Sequence, residues 1–419
     1  MATAVGPAYS SRDAGHDAAG GVHLVARQPI LDLHGRVHAY ALRFRGGAGP
    51  DGRTMLETAA MLGLERPSEL KKLTGRLTAF VHCAEETLGE RLAQQLPATL
   101  TVVEIRARGE VAPGLIDACR QLKEMGFRLA LDDFRGQPQF EPLVELADYI
   151  KVDFGGTRPE QRRELFEKLR GRTIAMLARN VETQAEYRQA RQEGFTLFEG
   201  YYFCEPVMMR NRRPPPNQLL RIEILKALQR HPMDLPKVSE LVKRDGPLAY
   251  QLLRLVNSPL WAVRQPVESI QAALMAVGED AFRRIATLAI ASDFNGDQPA
   301  ELLCMAMVRG RFCEVAGLER DLDPFGQYLL GLLSLLPAMQ GQPMSDVIPA
   351  LPLSAEIREA LMGTGNRERV LLGWLENCER GNWAGCDAAA EAEVLNQEEL
   401  GKVYVEAVAW AEAALHSAG

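Results

Sequence analysis

Short strand-like runs recur along the first half of the chain, and this rhythm constrains the fold more than any other feature. Eight runs are present, at residues 23–33, 37–45, 77–83, 100–106, 127–134, 149–154, 173–179 and 197–203. From the third run onward they repeat about every 22–27 residues. Apolar residues at helical spacing, such as Leu115, Ala118 and Leu122, lie between the runs. Strands that alternate with helices predict a parallel sheet, and eight of them predict a TIM-like (β/α) barrel.

The second half of the chain has a different pattern. The strand rhythm stops near Pro206, and residues 211–216 (NRRPPP) are typical of a stiff, polar linker. Beyond them only helical patterns remain, at 219–228, 235–243, 247–256, 267–276, 279–292, 299–316, 324–336 and 355–417. We therefore predict an α/β plus all-α chain. Its parts are a disordered tail (1–21), a barrel (22–207), a linker (208–216) and a helical bundle (217–419).

Charge and residue counts exclude several functional classes. The 419 residues have a formal net charge of −7, whereas nucleic-acid and anionic-membrane binders normally have a basic surface. Of the 7 histidines only His231 and His416 lie in the second half, which argues against a histidine-rich metal hydrolase there. The 7 cysteines include no Cys-x-x-Cys pair, as expected of a reduced, cytoplasmic protein. We find no apolar run of bilayer length and no secretion signal.

Charged residues recur at the ends of the predicted strands, where a (β/α) barrel places its functional groups. These residues are Glu104, Asp132, Asp133, Lys151, Asp153 and Glu182. Carboxylates that converge on one mouth bind Mg²⁺ or Mn²⁺, and two such ions can activate water for attack on a phosphodiester. One aspartate at a strand end is more often a helix cap or a solvated residue. The whole set predicts a shared ancestral site, whether or not that site still works.

Five short motifs follow one another in the first half. They are QPI at 28–30, LDDF at 131–134, YIKVD at 149–153, VET at 181–183 and GYYF at 200–203. Their order and spacing span nearly all of residues 22–207, and the set resembles the EAL domain of cyclic-di-GMP phosphodiesterases. The resemblance implies a TIM-like barrel with a two-metal site that opens cyclic-di-GMP into the linear dinucleotide.

The first half departs from the EAL pattern at positions that the family uses to bind metal. The Glu-Ala-Leu-Leu-Arg signature falls on residues 41–45 (ALRFR), so Ala41 replaces the metal-binding glutamate while Arg45, the ligand-binding arginine, is kept. His82 replaces a metal-binding asparagine, and Glu104 is kept. A histidine can bind a transition metal, but a single histidine on a buried strand is more often a core residue.

Two further departures change the charge of the predicted site. The family's Glu-Gly-Val-Glu becomes RNVE, which places Arg179 where the family has an acid, and Glu199 replaces a glutamine. Losing a carboxylate and gaining a cation both weaken the binding of a hard dication. We hypothesise that Arg179 occupies the vacated metal position and neutralises Asp132 and Asp133. The alternative is that Arg179 is a surface substitution of no consequence.

A second ordered set of motifs lies in the helical half. They are LPKV at 235–238, KRDGPL at 243–248, LLRLVNSPL at 252–260, VESI at 267–270 and AALMAVG at 272–278. The set resembles the HDOD domain, a helical relative of the HD phosphohydrolases, most clearly over residues 217–295. The only His-Asp dipeptide is His16-Asp17, and HDOD domains lack the metal ligands as a rule. The resemblance therefore implies a regulatory or protein-interaction module. Separately, we expect Arg283 and Arg284 on a solvated helix face rather than at a phosphate site.

The two resemblances together point to a bacterial family in which an EAL domain precedes an HDOD domain. We expect a catalytically inactive signalling adaptor in a cyclic-di-GMP-related pathway, with a protein partner, no metal or other cofactor, and a capacity to form homo-oligomers. The alternative is a receptor that holds cyclic-di-GMP through Gln28, Arg45 and Asp153 without hydrolysis. Against it, Glu199 and the aspartate pair would repel a phosphate. A weak residual phosphodiesterase is the third hypothesis.

Overall fold

Eight strands close into a barrel in chain order, which confirms the predicted fold class of the first half. The computed structural model describes residues 22–45, 59–60, 62–83, 88, 95–206, 218–261, 263, 265–296 and 298–418. The strands are β1 (Leu24–Asp32), β2 (Val37–Arg45), β3 (Thr78–His82), β4 (Thr101–Arg106), β5 (Arg128–Asp132), β6 (Tyr149–Asp153), β7 (Ala175–Arg179) and β8 (Leu197–Glu199). The predicted tail and linker lie outside the described residues.

The described helices of the first half lie between these strands. They are α1 (Pro67–Thr74), α2 (Leu115–Glu124), α3 (Glu141–Val144), α4 (Pro159–Lys168) and α5 (Gln184–Glu193). The predicted rhythm of strand and helix is therefore present. The last predicted strand, 197–203, is too long: β8 ends at Glu199 because the next residue, Gly200, has φ 149°. A Cβ atom there would lie 2.0 Å from the Val181 carbonyl oxygen, so that only glycine fits.

The sheet is not wholly parallel, and in this respect the prediction is wrong. β1 runs antiparallel to both β2 and β8, whereas the other neighbouring strands are parallel. The cause is the connection from β1 to β2, a tight turn in which Gly35 has φ 71°. A turn this short joins only antiparallel strands, because a parallel pair needs a long crossover.

Side chains inside the barrel alternate along each strand with side chains that point outward. The inward set is apolar at its centre and comprises Ile30, Ala39, Ala41, Phe80, Val102, Ala130, Tyr149, Leu177 and Leu197. The barrel is therefore filled, as expected of an eight-stranded barrel. Polar inward positions lie beyond this core at both ends of the barrel. Thr78 and Arg128 begin β3 and β5 and bond to each other, whereas the charged residues at the carboxyl ends of the strands open onto one mouth.

The second half is helical, as predicted. The helices are α6 (Gln218–Leu228), α7 (Leu235–Lys243), α8 (Gly246–Val256), α9 (Ile270–Val277), α10 (Glu279–Asn295), α11 (Ala300–Leu318), α12 (Pro324–Leu333), α13 (Leu336–Gln340), α14 (Met344–Val347), α15 (Ala355–Leu361), α16 (Val370–Glu379), α17 (Trp383–Glu393) and α18 (Gln397–Ala418). The predicted helix 324–336 is in fact two helices. Pro337 has no amide proton to bond the carbonyl of the preceding turn, so α12 ends before it.

The expectation for Arg283 is wrong. This residue is 1% exposed, and its guanidinium donates to the Arg230 carbonyl oxygen at 2.7 Å and contacts the Glu279 carboxylate. It lies on α10, which is buried on more than one face of the bundle, so two adjacent arginines cannot both reach solvent. Arg284 pairs with Glu314 instead of facing solvent alone. None of the described helices is long and apolar enough to cross a membrane.

The helical half packs directly on the outer faces of β1 and β2. The backbone amide of Arg27 donates to the Tyr404 hydroxyl at 3.3 Å, and the Tyr40 hydroxyl donates to Glu301 at 2.8 Å. Helices α16 and α18 also contact β1. One hydrophobic core runs through both halves, so the barrel and the bundle form a single packed unit.

Candidate functional site

The strand ends bring most of the predicted site residues together at the mouth of the barrel. The residues at the carboxyl ends of strands or just after them are His82, Glu104, Asp132, Asp133, Lys151, Asp153, Arg179 and Glu199. The strand register places His82 beside Glu104, and Asp132 beside Lys151. Several of them are deeply buried: Glu104 is 6% exposed, Lys151 1% and Glu199 0%. The mouth is therefore a cluster of charges held away from water.

Lys151 lies at the centre of this cluster. Its Nζ contacts Glu104 Oε1 and lies 2.7 Å from Glu199 Oε2. Burial alone would lower the pKa of Lys151, but the two glutamates outweigh burial and raise that pKa. Burial alone would raise the pKa of Glu199, but Lys151 and Arg43 outweigh it and lower the pKa to about 2. Both groups are charged at neutral pH, and each neutralises the other.

Arg179 contacts both aspartates of the pair, as the sequence predicted. Its Nη1 lies 3.0 Å from Asp132 Oδ2, and its Nη2 lies 3.0 Å from Asp133 Oδ1. The same Nη2 is 3.6 Å from Asp153 Oδ2. Burial raises the pKa of Asp132 above its usual range, although Lys151 and Arg179 act against it. The guanidinium is the local counterion of these carboxylates, and its side chain is only 11% exposed.

Two further cations at the mouth were missed in the sequence. Arg43 Nη2 lies 2.5 Å from Glu199 Oε1, and its Nε donates to Gln28 Oε1 at 3.1 Å. Arg108 Nη2 lies 2.8 Å from Asp133 Oδ2. The signal for Arg43 was available, because side chains alternate along a strand and position 43 must face the same way as the inward Ala41. No comparable signal marks Arg108, which follows β4 in a loop.

Ala41 has no donor atom for a metal, and His82 offers one neutral ring. Ala41 is 3% exposed and belongs to the apolar core of the barrel. Burial and the nearby Arg106 lower the pKa of His82 to about 4, so its ring is neutral at neutral pH. The His82 Nδ1 atom is buried without a hydrogen-bond partner. Within the part of the chain that the structure describes, no group of three or more His, Cys, Asp or Glu residues could hold a metal ion.

The arrangement of the mouth does not fit the two divalent ions that the EAL resemblance implies. A hard dication needs several carboxylate or carbonyl oxygens directed at it. Here oxygens of Asp132, Asp133 and Glu199 each lie within 3.0 Å of a guanidinium or ammonium nitrogen. A dication would have to displace these cations, and Ala41 offers it no donor atom in return.

The three residues predicted to hold cyclic-di-GMP all have partners within the chain. Gln28 accepts a hydrogen bond from Arg43. Arg45 pairs with residues of the helical half: its Nη2 lies 2.7 Å from Asp387 Oδ1, and its Nη1 donates to Gln397 at 3.1 Å. Asp153 accepts from the Gly156 amide at 2.9 Å. A phosphate at this mouth would have to compete with these contacts.

Glu182 lies apart from the buried cluster. It follows β7, is exposed, and precedes α5 by two residues. Its backbone amide donates to Glu186 Oε2 at 2.8 Å, which belongs to the cap of that helix. Partial burial raises the pKa of its carboxyl group, against the opposing charges of Arg380 and Arg43. The predicted site therefore comes together except for this glutamate.

The corner between α16 and α17 borders the mouth on the side of β2 and β8. The Tyr201 hydroxyl donates to the Glu379 carbonyl oxygen at 2.5 Å, and the Arg380 guanidinium lies 5.6 Å from the centre of the Tyr201 ring. A Cβ atom on Gly381 would lie 3.1 Å from Arg43 Cδ. The helical half is therefore in direct contact with the rim of the barrel mouth.

Comparison with known proteins agrees with this architecture. A family model of the EAL domain matches residues 72–206, and a model of the HDOD domain matches residues 214–322. The uncharacterized protein YuxH of Bacillus subtilis (strain 168) is 30% identical over 403 residues, which are 92% of this chain and 97% of YuxH. The cyclic di-GMP phosphodiesterase CdgJ of Vibrio cholerae is 28% identical over 400 residues, which are 93% and 92% of the two chains.

Among solved structures, the EAL domain protein from Listeria monocytogenes EGD-e aligns with 43% of this chain and 87% of its own, at 18% identity and a TM-score of 0.34. The fold and the sequence matches define a two-domain protein, a TIM-like EAL barrel followed by a helical HDOD domain. The chain belongs to the EAL–HDOD family.

Proposed function

We propose that this chain is a signalling adaptor in a cyclic-di-GMP-related pathway and that its EAL barrel does not hydrolyse the dinucleotide. The observation that carries the proposal is the contact of Arg179 with Asp132 and Asp133, at 3.0 Å each. A guanidinium has no acceptor and cannot hold and deprotonate a water molecule as a metal ion does. With Arg179 in this place, the two aspartates are neutralised and the mouth has no activated nucleophile.

The centre of the mouth supports the same proposal. Lys151 and Arg43 both pair with Glu199, where the EAL pattern has a neutral glutamine. A buried carboxylate with two cations is fully compensated, so it has little electrostatic reason to recruit a metal. The positions that depart from the EAL pattern are therefore matched to one another: Glu199 adds an anion, and Arg43 and Arg179 add cations. Such matching is typical of a site that has been converted to a structural role.

The inactivity is tested by incubating the full-length chain with cyclic-di-GMP and Mg²⁺ or Mn²⁺ and measuring the linear dinucleotide by chromatography. CdgJ serves as the positive control. We expect no product above the protein-free background. Turnover that is present in the wild type and absent in Asp132→Asn would overturn the proposal and make the chain a phosphodiesterase, in agreement with its similarity to CdgJ over 93% of the chain.

A receptor for cyclic-di-GMP is the second candidate, and one observation favours it. The side chains of Arg43 and Arg108 are 34% and 64% exposed at the rim, where their remaining N–H groups can reach a phosphate. Calorimetry of the full chain with cyclic-di-GMP and Ca²⁺ distinguishes the candidates. We expect no heat at high micromolar ligand. Saturable binding that is lost in Arg43→Met would replace the adaptor with a receptor.

The adaptor role itself is tested with partners captured on the immobilised full-length chain, in parallel with and without cyclic-di-GMP. We expect a partner that is retained equally in both conditions. A partner that binds only when the dinucleotide is present would instead identify a receptor that signals through protein contacts.

A further inference from the structure

A second group of buried charges lies between the two halves of the protein. We call it the interface cluster; its members are Arg27 and Tyr40 from the barrel and Glu301, Cys304 and Glu412 from the helical half. Arg27 is 6% exposed and Glu301 is 4% exposed. The cluster lies on the outer face of β1 and β2, away from the barrel mouth.

The geometry of the cluster leaves Glu301 poorly compensated. Arg27 Nη1 lies 2.5 Å from Glu412 Oε1, whereas Arg27 Nη2 lies 3.7 Å from Glu301 Oε1. The Tyr40 hydroxyl donates to Glu301 Oε2 at 2.8 Å and is also 3.3 Å from Glu412 Oε1. A hydroxyl has one proton to donate. Arg27 and Tyr40 therefore both contact two carboxylates, and the guanidinium is much closer to Glu412 than to Glu301.

The remaining titratable groups around Glu301 do not supply the missing charge. The Cys304 thiol accepts from Arg27 Nη2 at 3.1 Å, and Tyr404 accepts from the Arg27 backbone. Arg309 is engaged with Glu379 at 2.7 Å. A cleft of about 480 Å³ beside Glu301 is also lined by His34, Arg36 and Tyr187. Within the described residues, Arg27 is the one cation within 4.0 Å of the Glu301 carboxylate.

A carboxylate in this position favours its neutral form, because burial without an adequate counterion disfavours the charge. Burial raises the pKa of Glu301 to about 7, against the opposing effects of Arg27 and Tyr40. An exposed glutamate has a pKa of about 4.3. A folded-state pKa above the unfolded value means that the native protein binds an extra proton between these two pH values. Stability from this group is then fully present below the unfolded pKa and is lost as pH rises from that value to the folded pKa.

We propose that the helical half docks on the barrel with Glu301 protonated, so that docking takes up a proton and the interface loosens as pH rises from the acid range to neutrality. The two sides of the contact come from different halves, since Arg27 and Tyr40 belong to β1 and β2 and Glu301 is the second residue of α11. Ionisation of Glu301 therefore acts on the docking of the halves. The inference concerns the interface alone and holds whether or not the mouth binds or cleaves a nucleotide.

The test compares thermal unfolding of the full-length wild type, Glu301→Gln and Glu314→Gln from about pH 5 to about pH 8.5. Glutamine mimics the protonated glutamate, so Glu301→Gln melts with the wild type at the low end and roughly 5 °C above it at the high end. Glu314 is the matched control: it lies on the same helix, is 5% exposed, and pairs with Arg284 and with Arg311, the latter at 2.8 Å. Glu314→Gln melts at a lower temperature than the wild type at about pH 8.5, because it loses its two ion pairs.

If the melting temperatures of the wild type and Glu301→Gln differed by the same amount at both ends of the pH range, the proposal would be overturned. A second variant keeps the test decisive if Glu301→Gln folds poorly. Glu412→Gln makes Glu301 the one described carboxylate within 4.0 Å of Arg27, which favours the ionised form of Glu301. The midpoint of the pH-dependent stability loss in Glu412→Gln therefore lies at a lower pH than in the wild type. The same midpoint in the two proteins would also contradict the proposal.

Hydrogen exchange shows which elements of the structure are destabilised as pH rises. After correction for the intrinsic pH dependence of exchange, the amides of β1 and α18 lose protection in the wild type between about pH 5 and about pH 7.5, and those of Glu301→Gln do not. Uniform loss of protection across the barrel, with no preference for these two elements, would show that the titrating group is elsewhere.

Discussion

The barrel mouth and the interface cluster are both buried networks of charge, but they differ in how far each carboxylate is compensated. Glu199 in the mouth is 0% exposed and Glu301 in the interface is 4% exposed, so burial acts on both. Glu199 has Arg43 at 2.5 Å and Lys151 at 2.7 Å, and its pKa is lowered to about 2. Glu301 has one cation at 3.7 Å, and burial raises its pKa to about 7.

This difference shows that the supply of nearby cations, rather than burial, decides whether a buried glutamate is charged in this protein. In the mouth, every cation belongs to the barrel itself, so the network can be complete before the halves meet. In the interface, Arg27 belongs to one half and the carboxylates to the other. The mouth is therefore suited to hold a fixed shape, and the interface is suited to respond to a proton.

The largest effect is expected from removing the cation at the centre of the mouth. Lys151→Met leaves Glu104 and Glu199 buried without their shared ammonium, which costs about 3–5 kcal/mol of unfolding free energy. Urea unfolding at neutral pH measures the loss. Lys123→Met is the matched control, because Lys123 pairs with Asp148 and both side chains are about one third exposed (33% and 32%). That exposed pair contributes less than about 1 kcal/mol. Equal losses in the two variants would remove the distinction between the networks.

Removing Arg179 is expected to have the next largest effect. Arg179→Met removes the guanidinium that Asp132 and Asp133 share and leaves Arg108 beside Asp133, and we expect a loss of about 2–3 kcal/mol at neutral pH. The pKa of Asp132 is already raised by burial, so the loss shrinks as pH falls and this carboxylate takes up a proton. Urea unfolding at about pH 5 and about pH 8 measures the difference. A loss that does not depend on pH would mean that Arg179 acts through packing alone.

The sequence predicted one of these networks much better than the other. The carboxylates of the mouth lie at the ends of successive strands, and a barrel brings strand ends together, so their convergence follows from the pattern. The contact of Arg179 with Asp132 and Asp133 was predicted because a cation at position 179 is expected to pair with the two retained carboxylates. Arg43 could also have been predicted at the mouth, because side chains alternate along β2 and position 43 faces the same way as Ala41.

The interface cluster could not be predicted in this way. Arg27 and Glu301 are brought together only when two separate folding patterns dock, and nothing in either pattern specifies that docking. The reversed direction of β1 was likewise hidden, because a strand-like run carries no information on its direction until the turn at Gly35 is identified. Arg283 illustrates the same limit, since the periodicity of α10 alone does not show how many of its faces other helices cover.

A smaller effect is expected from the hydroxyl in the interface cluster. Tyr40→Phe removes the hydrogen bond to Glu301, which costs about 1 kcal/mol. The loss is greater at about pH 8.5 than at about pH 5, because a hydroxyl bonds more strongly to an ionised carboxylate than to a neutral one. Tyr328→Phe is the control: its buried hydroxyl donates to the Arg284 carbonyl oxygen, at 3.4 Å, which does not titrate. If both variants showed the same pH dependence in urea unfolding, Glu301 would not be the titrating partner.

The smallest effect is expected at the rim, where the halves meet through exposed charges. Arg45 and Asp387 are 2.7 Å apart, but their side chains are 22% and 42% exposed, so water and salt screen the pair. Gln397 and Arg45 lower the pKa of Asp387, so the carboxylate is charged at neutral pH. Asp387→Asn should then change the unfolding free energy by less than about 0.5 kcal/mol, and by still less in high salt. A loss above about 1.5 kcal/mol would show that this rim contact, rather than the buried interface cluster, holds the helical half on the barrel.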